Sequence, residues 1–350
     1  MRQSQPQTKK LDENGFASIV IALVLIVVLA LLTVGFAQLA RREQNDALNR
    51  QLANQAYYAA ESGVNDVVHA IPAINAANVA SPGSVSSASC LTSSQLSSFS
   101  LNPTLNGTAG VAYTCALVNL TPPTLVYDNV AAESERYVSF STSPSPLSTI
   151  TFQWGSADNH TTPQSAAAGS FKPLASWGSS PAVLQVSITP FDPSNVDQNA
   201  MIAATYNAYL YPSASAGGLA YNTSQQGGIT SGGCINSTTR YTCSATISGL
   251  PSAPEYLVRA IPHYDSTNIS INGHSGASVV DFINGQALVD VTGKAQQVLK
   301  RIQVRVPIGP SYTLPKDAIE VGSTCKRFQT QPNQTIFDSS LGSSSCTLDP

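Results

Sequence analysis

The feature that most constrains this chain is an uncharged apolar segment near its N-terminus. Residues 16–40 contain no Asp, Glu, Lys or Arg, and Ile19 to Leu32 consists almost wholly of Ile, Val, Leu and Ala. About 20 such residues cross a bilayer as a helix, and the segment is longer than the roughly 7 to 15 apolar residues of a cleaved signal peptide. A helix buried in a soluble protein would normally keep a polar face, which this segment lacks. The sequence therefore predicts one transmembrane helix.

Helical spacing continues beyond Ala40. Apolar residues recur every four positions, at Leu48, Leu52, Ala56, Ala60, Val64 and Val68. Pro72 lacks an amide proton and disfavours helix at Ile71, so we expect the helix to end there. A helix over 16–71 would be on the order of 80 Å long at 1.5 Å per residue. It would cross the membrane and continue as a stalk.

Six cysteines follow the apolar segment. None has the Cys-x-x-Cys spacing or the His partners of a structural zinc site, so we interpret them as a disulfide framework, with free buried thiols as the alternative. Several connectivities remain open, and short loops favour Cys90 with Cys115, Cys234 with Cys243, and Cys325 with Cys346. Disulfides persist in oxidising compartments, which places the C-terminal region outside the cytoplasm and the N-terminus inside.

The composition excludes one class of partner and favours one class of structure. Only 11% of residues are charged, the formal net charge is -3, and no dense Lys/Arg run occurs. The chain therefore lacks the basic surface that a nucleic-acid partner requires. Ser, Thr, Asn, Gly and Pro dominate after the stalk, which is typical of extracellular β structure.

The region after Pro72 predicts strands. Runs rich in β-branched and aromatic residues, bounded by Gly, Pro, Asn or Ser, occur at 137–142, 149–154, 182–189, 201–210, 255–261, 279–283 and 286–291. No helical pattern alternates with them, which argues against a parallel α/β sheet. Residues 286–306 contain two alternating runs around Thr292-Gly293, a pattern that predicts a hairpin with its turn at that pair.

Two motifs carry a family resemblance. The stretch Lys9-Lys10-Leu-Asp-Glu-Asn-Gly15-Phe16 resembles the leader of a type IV prepilin, in which a short charged peptide ends in Gly before a long apolar helix. The stretch from Leu52 to Val64 resembles the end of the N-terminal segment of PilX-type minor pilins. It contains the "AAE(S/A)G" signature as Ala-Ala-Glu61-Ser-Gly63. The 286–306 hairpin is also similar to one found near the ends of pilin and pseudopilin globular domains.

The resemblance implies processing and assembly. A prepilin peptidase would cut between Gly15 and Phe16, and the helix would then pack with other pilin subunits. Major pilins carry Glu at the fifth mature position, where it neutralises a neighbouring subunit's amine, but Val20 stands there in this chain. A buried amine without its carboxylate is costly, so we expect a minor subunit. Gly35 would either loosen the helix or permit close helix packing. Glu61 would either be solvated or hold the helix to the globular part.

These patterns give an α+β fold: a long N-terminal transmembrane helix that continues as a stalk, packed on an antiparallel, sandwich-like extracellular β region. We predict five segments. They are a prepilin-type leader at 1–15, the transmembrane and stalk helix at 16–71, a Ser/Ala/Asn-rich subdomain or insertion at 72–130, a β-rich globular domain at 131–314, and a disulfide-stapled tail at 315–350.

Other candidate sites are weak. Asp192, Asn195 and Asp197 place oxygen atoms at short intervals, as calcium prefers, but we favour a turn held by Asx hydrogen bonds and no metal. The four histidines, His69, His160, His263 and His274, lie far apart and outside any hydrolase motif. We therefore predict no enzyme activity, no metal and no cofactor.

The leading interpretation is a minor pilin-like subunit of a type IV pilus that acts in pilus assembly or surface adhesion. Its expected partners are prepilin peptidase, other pilin subunits, the lipid bilayer and a surface receptor. We expect a single-pass inner or plasma membrane protein that becomes incorporated in a surface pilus. The alternatives are an uncleaved, membrane-anchored extracellular binding protein of adhesin type and a type II secretion pseudopilin.

Overall fold

The computed structural model describes residues 14–104, 110–156, 158, 160–164, 171–215, 217–224, 228–235, 239–308, 329–331 and 334–336. The chain forms two compact units, Met1–Pro310 and Ser311–Pro350. Helix α1 (Asn14–Ala80) opens the first unit and is 67 residues long. At 1.5 Å per residue this is about 100 Å.

The predicted helix end at Ile71 is wrong, because α1 continues through Pro72 to Ala80. An interior proline costs a helix about 3 kcal/mol. Ile71 and Ile74, on either side of it, are fully buried against the sheet beneath. Burial of two such side chains contributes roughly 1.5 to 3 kcal/mol each, which offsets the proline.

Two short α-helices, one 3-10 helix (Leu174–Ser176) and seventeen strands follow α1 in the described residues. The helices are α2 (Ser93–Ser98) and α3 (Gln198–Ala204). The strands of the first unit are β1 (Val111–Asn119), β2 (Thr124–Val130), β3 (Arg136–Ser143), β4 (Thr149–Ser156), β5 (Val183–Phe191), β6 (Tyr206–Ser213), β7 (Gly218–Ala220), β8 (Gly228–Gly233), β9 (Cys243–Ser248), β10 (Glu255–His263), β11 (Thr267–Ser275), β12 (Ser278–Val279), β13 (Asp281–Ile283), β14 (Gln286–Ala295) and β15 (Val298–Pro307). In the second unit β16 (Gln329–Gln331) pairs antiparallel with β17 (Gln334–Ile336).

Helix α1 packs on a small antiparallel sheet with strand order β1-β14-β15, which we call the helix-facing sheet. Alternate residues of β14 point at the helix, and Ala287, Val289 and Val291 are fully buried there. They meet Val67 and Ile74 of α1 in one apolar cluster. This period-2 alternation on the strand and the buried stripe on the helix are why the two elements associate.

Strands β2 to β13 form a separate β-sandwich. One sheet has the order β13-β3-β10-β5-β6-β8, and the other has the order β12-β11-β4-β9-β7, with β2 also paired to β11. Both sheets bury their inner faces in one cluster that includes Phe140, Trp154 and Tyr256. The predicted α+β class with a long helix and a β-rich region is confirmed. Two parallel pairs, β6 with β8 and β7 with β9, depart from a purely antiparallel arrangement.

The sandwich is inserted within the helix-facing sheet, because the chain leaves that sheet after β1 and returns to it at β14. The segment expected as a Ser/Ala/Asn-rich subdomain, 72–130, instead supplies the end of α1, helix α2 and strands β1 and β2. The segment expected as one β-rich domain, 131–314, divides between the sandwich and the helix-facing sheet.

Two disulfides favoured by loop length are confirmed, Cys90–Cys115 and Cys234–Cys243. The first joins the loop after α1 to β1, and the second is buried in the sandwich core. Cys325 and Cys346 lie outside the described residues, as do the leader residues before Asn14.

Two local predictions are wrong. Residues 201–204 of the predicted strand 201–210 are helical, because Asp197 accepts hydrogen bonds from the amides of Asn199 and Ala200 and so caps α3. The hairpin turn lies at Gln296, which has φ +53°, and not at Thr292-Gly293. Thr292 and Gly293 instead pair with β15 inside the ladder.

Candidate subunit-assembly site

The N-terminal part of α1 projects its apolar side chains outward. Every large apolar side chain from Ile19 to Leu39 is at least 45% exposed. In the described residues one helix is long and apolar enough to cross a membrane, with a mean hydropathy of 3.3 in its most apolar window. An apolar surface of this size is unfavourable in water. It needs lipid or other helices around it.

Two positions within this surface bear on assembly. Val20, which the resemblance to pilins would place at the fifth mature position, is 45% exposed and carries an alkyl side chain. A methyl group added at Gly35 would meet nothing within 4 Å. Among the residues that the structure describes, therefore, none packs closely on Gly35, and that side of the helix has room for another molecule to approach.

A charged stretch follows the apolar segment on α1. It consists of Arg41, Arg42, Glu43, Asp46 and Arg50, all exposed. None of the three arginines lies within ion-pair distance of a carboxylate in the described part of the chain. Their charges are available to other molecules.

Further along α1, small residues form a seam against the hairpin of β14 and β15. Ala56 and Ala60 are fully buried. A side-chain carbon added at Gly293 of β14 would overlap the carbonyl oxygen of Ala56 and the amide nitrogen of Ala60. The strand backbone therefore lies directly on the helix backbone, and only glycine fits at position 293.

Gly63, one turn later on α1, also packs closely on the helix-facing sheet. A carbon added there would lie 2.7 Å from the Tyr113 ring and 2.7 Å from a methyl group of Val291. Tyr113 comes from β1 and Val291 from β14, so Gly63 admits side chains of both strands. The small residues of the Ala-Ala-Glu-Ser-Gly signature thus fit α1 closely to the helix-facing sheet.

Glu61 belongs to the same signature but lies on another side of the helix. It is exposed, and its side chain makes no hydrogen bond or ion pair within the described residues. Tyr57 and Tyr58, beside it, are 49% and 60% exposed, with ring centroids 6.0 Å apart. The signature therefore has a docked side of small residues and an outward side of larger ones.

A polar contact also joins α1 to β1. The Tyr113 hydroxyl donates a hydrogen bond to a carboxylate oxygen of Asp66 at 3.4 Å. Burial of the ring, together with the nearby Asp66 carboxylate, raises the pKa of Tyr113. The phenol thus remains neutral well above physiological pH and can keep donating to Asp66.

The opposite side of the helix-facing sheet is fixed by a buried carboxylate. Asp290 of β14 is 4% exposed. Arg301 of β15 donates through Nε to Asp290 Oδ1 at 2.6 Å and through Nη2 to Asp290 Oδ2, and Gln303 donates to Oδ2 at 3.2 Å. Hydrogen bonding to Asp290 and its negative charge raise the pKa of Arg301. This pair holds β14 and β15 in register.

A second set of polar contacts ties the sandwich to this sheet. Gln286 at the start of β14 accepts a hydrogen bond from the Val126 amide at 2.9 Å and donates one to the Val126 carbonyl at 2.8 Å. Arg305 donates to the Thr124 carbonyl at 2.6 Å. Side chains of β14 and β15 therefore hydrogen-bond to the backbone of β2. These bonds hold the inserted sandwich to the helix-facing sheet.

At the weak calcium candidate, the Asp192 and Asp197 carboxylates accept hydrogen bonds from nearby backbone amides. Asp192 accepts hydrogen bonds from the amide and hydroxyl of Ser194, and the hydroxyl hydrogen bond lowers the pKa of Asp192. Asp197 caps α3. Among the residues that the structure describes, no three His, Cys, Asp or Glu side chains form a metal-binding group.

The contacts of the four histidines with described residues differ from those of a catalytic triad. His160 and Ser156 both bond to the same oxygen of Asp265, at 3.0 and 2.6 Å. A hydrolytic triad places the imidazole between serine and carboxylate, whereas here the carboxylate lies in the middle. His263 lies between Glu133 and Gln185 on the sandwich surface. His69 is exposed on α1, and the backbone carbonyl of His274 accepts from Ser148.

Sequence reasoning missed Gly293, Gln286 and Asp290 as site residues. Gly293 gave a signal, since an isolated glycine inside a strand pattern marks close backbone approach. Gln286 and Asp290 gave no signal in the sequence. The partner of Gln286 is Val126, far away in the chain, and the partner of Asp290 depends on how β14 pairs with β15. The pairing of Arg301 with Asp290 follows from β14 and β15 lying side by side.

The comparison with known families identifies this part of the chain. The family model described as PilX N-terminal matches residues 14–65. The N-terminal segment is therefore PilX-like, and it relates the chain to the pilins of type IV pili. The matched residues include both the exposed apolar helix and the docked signature with Gly63. No curated protein matches the chain.

Proposed function

We propose that this chain is a minor, pilin-like structural subunit of a type IV pilus, acting in pilus assembly and surface adhesion. The observation that carries the proposal is the coincidence of the PilX N-terminal match over 14–65 with an exposed apolar helix. A soluble globular protein would expose this apolar surface to water, which is unfavourable. A subunit that passes from membrane to filament has the surface covered by lipid first and by other helices afterwards.

Processing precedes assembly in this account. Prepilin peptidase cuts between Gly15 and Phe16 on the cytoplasmic side, and α1 initially holds the subunit in the bilayer. The disulfides Cys90–Cys115 and Cys234–Cys243 support an extracytoplasmic C-terminal region. Other pilin subunits then replace lipid around Ile19 to Leu39.

A minor position in the filament is favoured by Val20. A filament core that buries an N-terminal amine gains from a carboxylate nearby, and an alkyl group there offers none. A subunit with valine at this position cannot neutralise the N-terminal amine of a neighbour. It therefore suits a position where no neighbour needs that carboxylate, such as near the pilus tip. A pseudopilin of a type II secretion system would fit the same observation.

Adhesion is assigned to the sandwich. Strands β2 to β13 have their own core and enter and leave the helix-facing sheet at one place, between β1 and β14. This arrangement presents a binding domain on a pilin-like base without disturbing the helix. A surface receptor would be its partner.

The test uses the full chain in its piliated host, with Gly15→Leu to block processing and Gly218→Ala as a control glycine substitution in open space. Wild type and the control should appear in the sheared surface fraction at the shorter length. The Gly15→Leu chain should stay in the membrane at full length. Equal shearing of all three would contradict the proposal. Lost protein secretion with intact pili in a deletion strain would assign the chain to a secretion system.

A further inference from the structure

The two edges of the helix-facing sheet differ. Along the β1 edge, the Leu91 amide donates a hydrogen bond to the Ala116 carbonyl at 2.7 Å, and the Cys90–Cys115 disulfide fastens the same segment. The opposite edge is β15, which pairs only with β14 among the described residues. One edge is therefore covered by its own chain, whereas the described residues leave the other open.

The hairpin geometry determines which backbone groups of β15 face outward. A two-residue turn joins Ala295 to Val298, so these two residues exchange both backbone hydrogen bonds, and every second residue after Val298 also bonds to β14. The Ile308 amide agrees with this alternation, because it donates to the Gly285 carbonyl at 3.5 Å. The residues in between direct their amides and carbonyls away from β14. Three of them are exposed, namely Leu299, Arg301 and Gln303, and we call them the outward residues.

Strand β15 lacks the features that usually keep an edge strand from pairing. Soluble proteins protect such edges with short strands, bulges or prolines. β15 is ten residues long, its register with β14 is unbroken, and its one proline, Pro307, is the last residue. The stretch from Leu299 to Gln303 covers about 17 Å. It can therefore accept an added strand of similar length.

Charge indicates what kind of strand would bind. The hairpin over 286–307 has four basic residues and one acidic residue, a net charge of +3 in a chain whose formal net charge is -3. Lys294 and Lys300 are exposed, and neither has an ion-pair partner among the described residues. Two copies paired along β15 would bring these basic hairpins together, which is unfavourable. The edge therefore favours an acidic partner.

The apolar side chains of β15 set the second requirement. Ile302, Val304 and Val306 pack against the cluster beneath α1 but remain only partly buried. An added strand would place every second side chain beside them, on the face that carries α1. Its other side chains would lie on the face of Arg301 and Gln303. The partner segment should therefore carry apolar residues at alternate positions.

We propose that β15 binds an extended acidic segment of another protein by strand addition, with the segment's backbone paired to the outward residues. Main-chain hydrogen bonds hold a strand bound in this mode, and its alternate side chains give specificity. The apolar side chains of the segment cover Ile302 and Val304. This contact goes beyond the proposed function, because it needs only the folded sheet and not the entry of α1 into a filament.

The first test is amide hydrogen exchange of the full chain, purified alone in detergent and resolved to single residues. The amides of the outward residues should exchange at least tenfold faster than those of Ile302 and Val304, which bond to β14. Equal protection of both sets would show that the same chain or a second copy already covers the edge, and would overturn the proposal.

The second test places a photo-crosslinking amino acid at Leu299, which is 58% exposed, in the full chain in its piliated host. We expect a crosslink to a different protein, joined to a peptide with acidic residues and alternating apolar ones. Crosslinking only to a second copy, only to residues beyond Pro310 of the same chain, or to no protein would overturn the proposal.

A pair of substitutions at Gln303 shows whether the crosslinked contact is a paired strand. Gln303→Pro and Gln303→Ala both remove the hydrogen bond to Asp290, but only proline removes the outward amide. The proline variant should give at least tenfold less crosslink, and the alanine variant should stay within twofold of wild type. Equal crosslinking of the two variants would contradict strand addition.

A second pair tests the charge of the partner and decides the matter if the proline variant does not fold. Lys300→Glu should lower the crosslink at least fivefold, whereas Lys300→Arg should keep it within twofold. Equal crosslinking of these two variants would exclude an acidic partner. Formation of the Cys90–Cys115 disulfide, followed on non-reducing gels, shows which variants have folded.

The N-terminus of the same chain separates this contact from the proposed function. A chain that begins at Phe16 but gives no crosslink would overturn strand addition and leave the pilin proposal standing. A chain that begins at Met1 and gives the crosslink would do the reverse.

Discussion

Gly293 of strand β14 lies directly on the backbone of Ala60 in helix α1, with no room for a side chain between them. This contact sets the distance between the stalk helix and the helix-facing sheet. It also explains why the stalk carries alanine and glycine at the turns that face the strand. The globular part is thereby held to α1 by close backbone packing.

The first prediction concerns this packing. Gly293→Val should destabilise the junction by about 3 kcal/mol, because the new side chain overlaps helix backbone that has no freedom to move. Amide hydrogen exchange over residues 56–63 in the detergent-solubilised chain measures the effect. We expect protection there to fall while the sandwich core stays protected.

Gly218→Val is the matched control, since a carbon at Gly218 in strand β7 meets nothing within 4 Å. It should leave the exchange of residues 56–63 unchanged. Equal protection in the Gly293 and Gly218 variants would show that the helix and β14 are not closely packed.

The second prediction concerns the brace between sandwich and sheet. Gln286→Leu removes both hydrogen bonds to the Val126 backbone and should cost about 2 kcal/mol, because an amide and a carbonyl lose their partner. Urea unfolding followed by circular dichroism measures the loss. Gln297→Leu is the control, since Gln297 is exposed at the hairpin turn. Similar losses in both variants would mean that Gln286 does not brace β2.

The third prediction concerns Asp290. Arg301→Met leaves the buried Asp290 carboxylate with only Gln303 as its side-chain partner and should lower the free energy of unfolding, because a buried charge then lacks its counter-charge. Adding Asp290→Asn removes the buried charge and should recover at least half of that loss. Urea unfolding of the single and double variants decides this. A double variant that is less stable than Arg301→Met alone would contradict the assigned role of the pair.

The fourth prediction concerns pH. The folded state raises the pKa of Tyr113 above its ordinary value near 10, so the folded chain keeps a proton that the unfolded chain releases. Stability from this group is fully present below about pH 10 and declines as pH rises further, by up to 1.4 kcal/mol per pH unit. Tyr113→Phe should lessen the decline above pH 10 and not alter the slope between pH 7 and 9. An unchanged slope above pH 10 would contradict it.

Much of the fold was predictable because its signals are local. The apolar run from Ile19 and the spacing up to Val68 predict α1, and alternating residues predict β3, β4, β5, β10 and β14. The small residues near Gly63 gave the family resemblance. Loop length alone favoured the Cys90–Cys115 and Cys234–Cys243 pairs.

The misses arose where a distant partner overrides a local preference. Pro72 predicts a helix end, but the sheet beneath Ile71 and Ile74 keeps the helix intact. Thr292-Gly293 resembles a turn, yet Gly293 is needed in the strand where α1 approaches. Ala116 of β1 pairs with Val291 of β14, far along the chain. No local pattern could show that the sandwich is inserted between them.

The most direct test of the account is the N-terminal sequence of the chain recovered from sheared filaments. We predict a chain that begins at Phe16, produced by cleavage after Gly15 and carried into a pilus by α1. A chain that begins at Met1 would contradict the pilin account. The apolar helix would then be the permanent anchor of an extracellular binding protein.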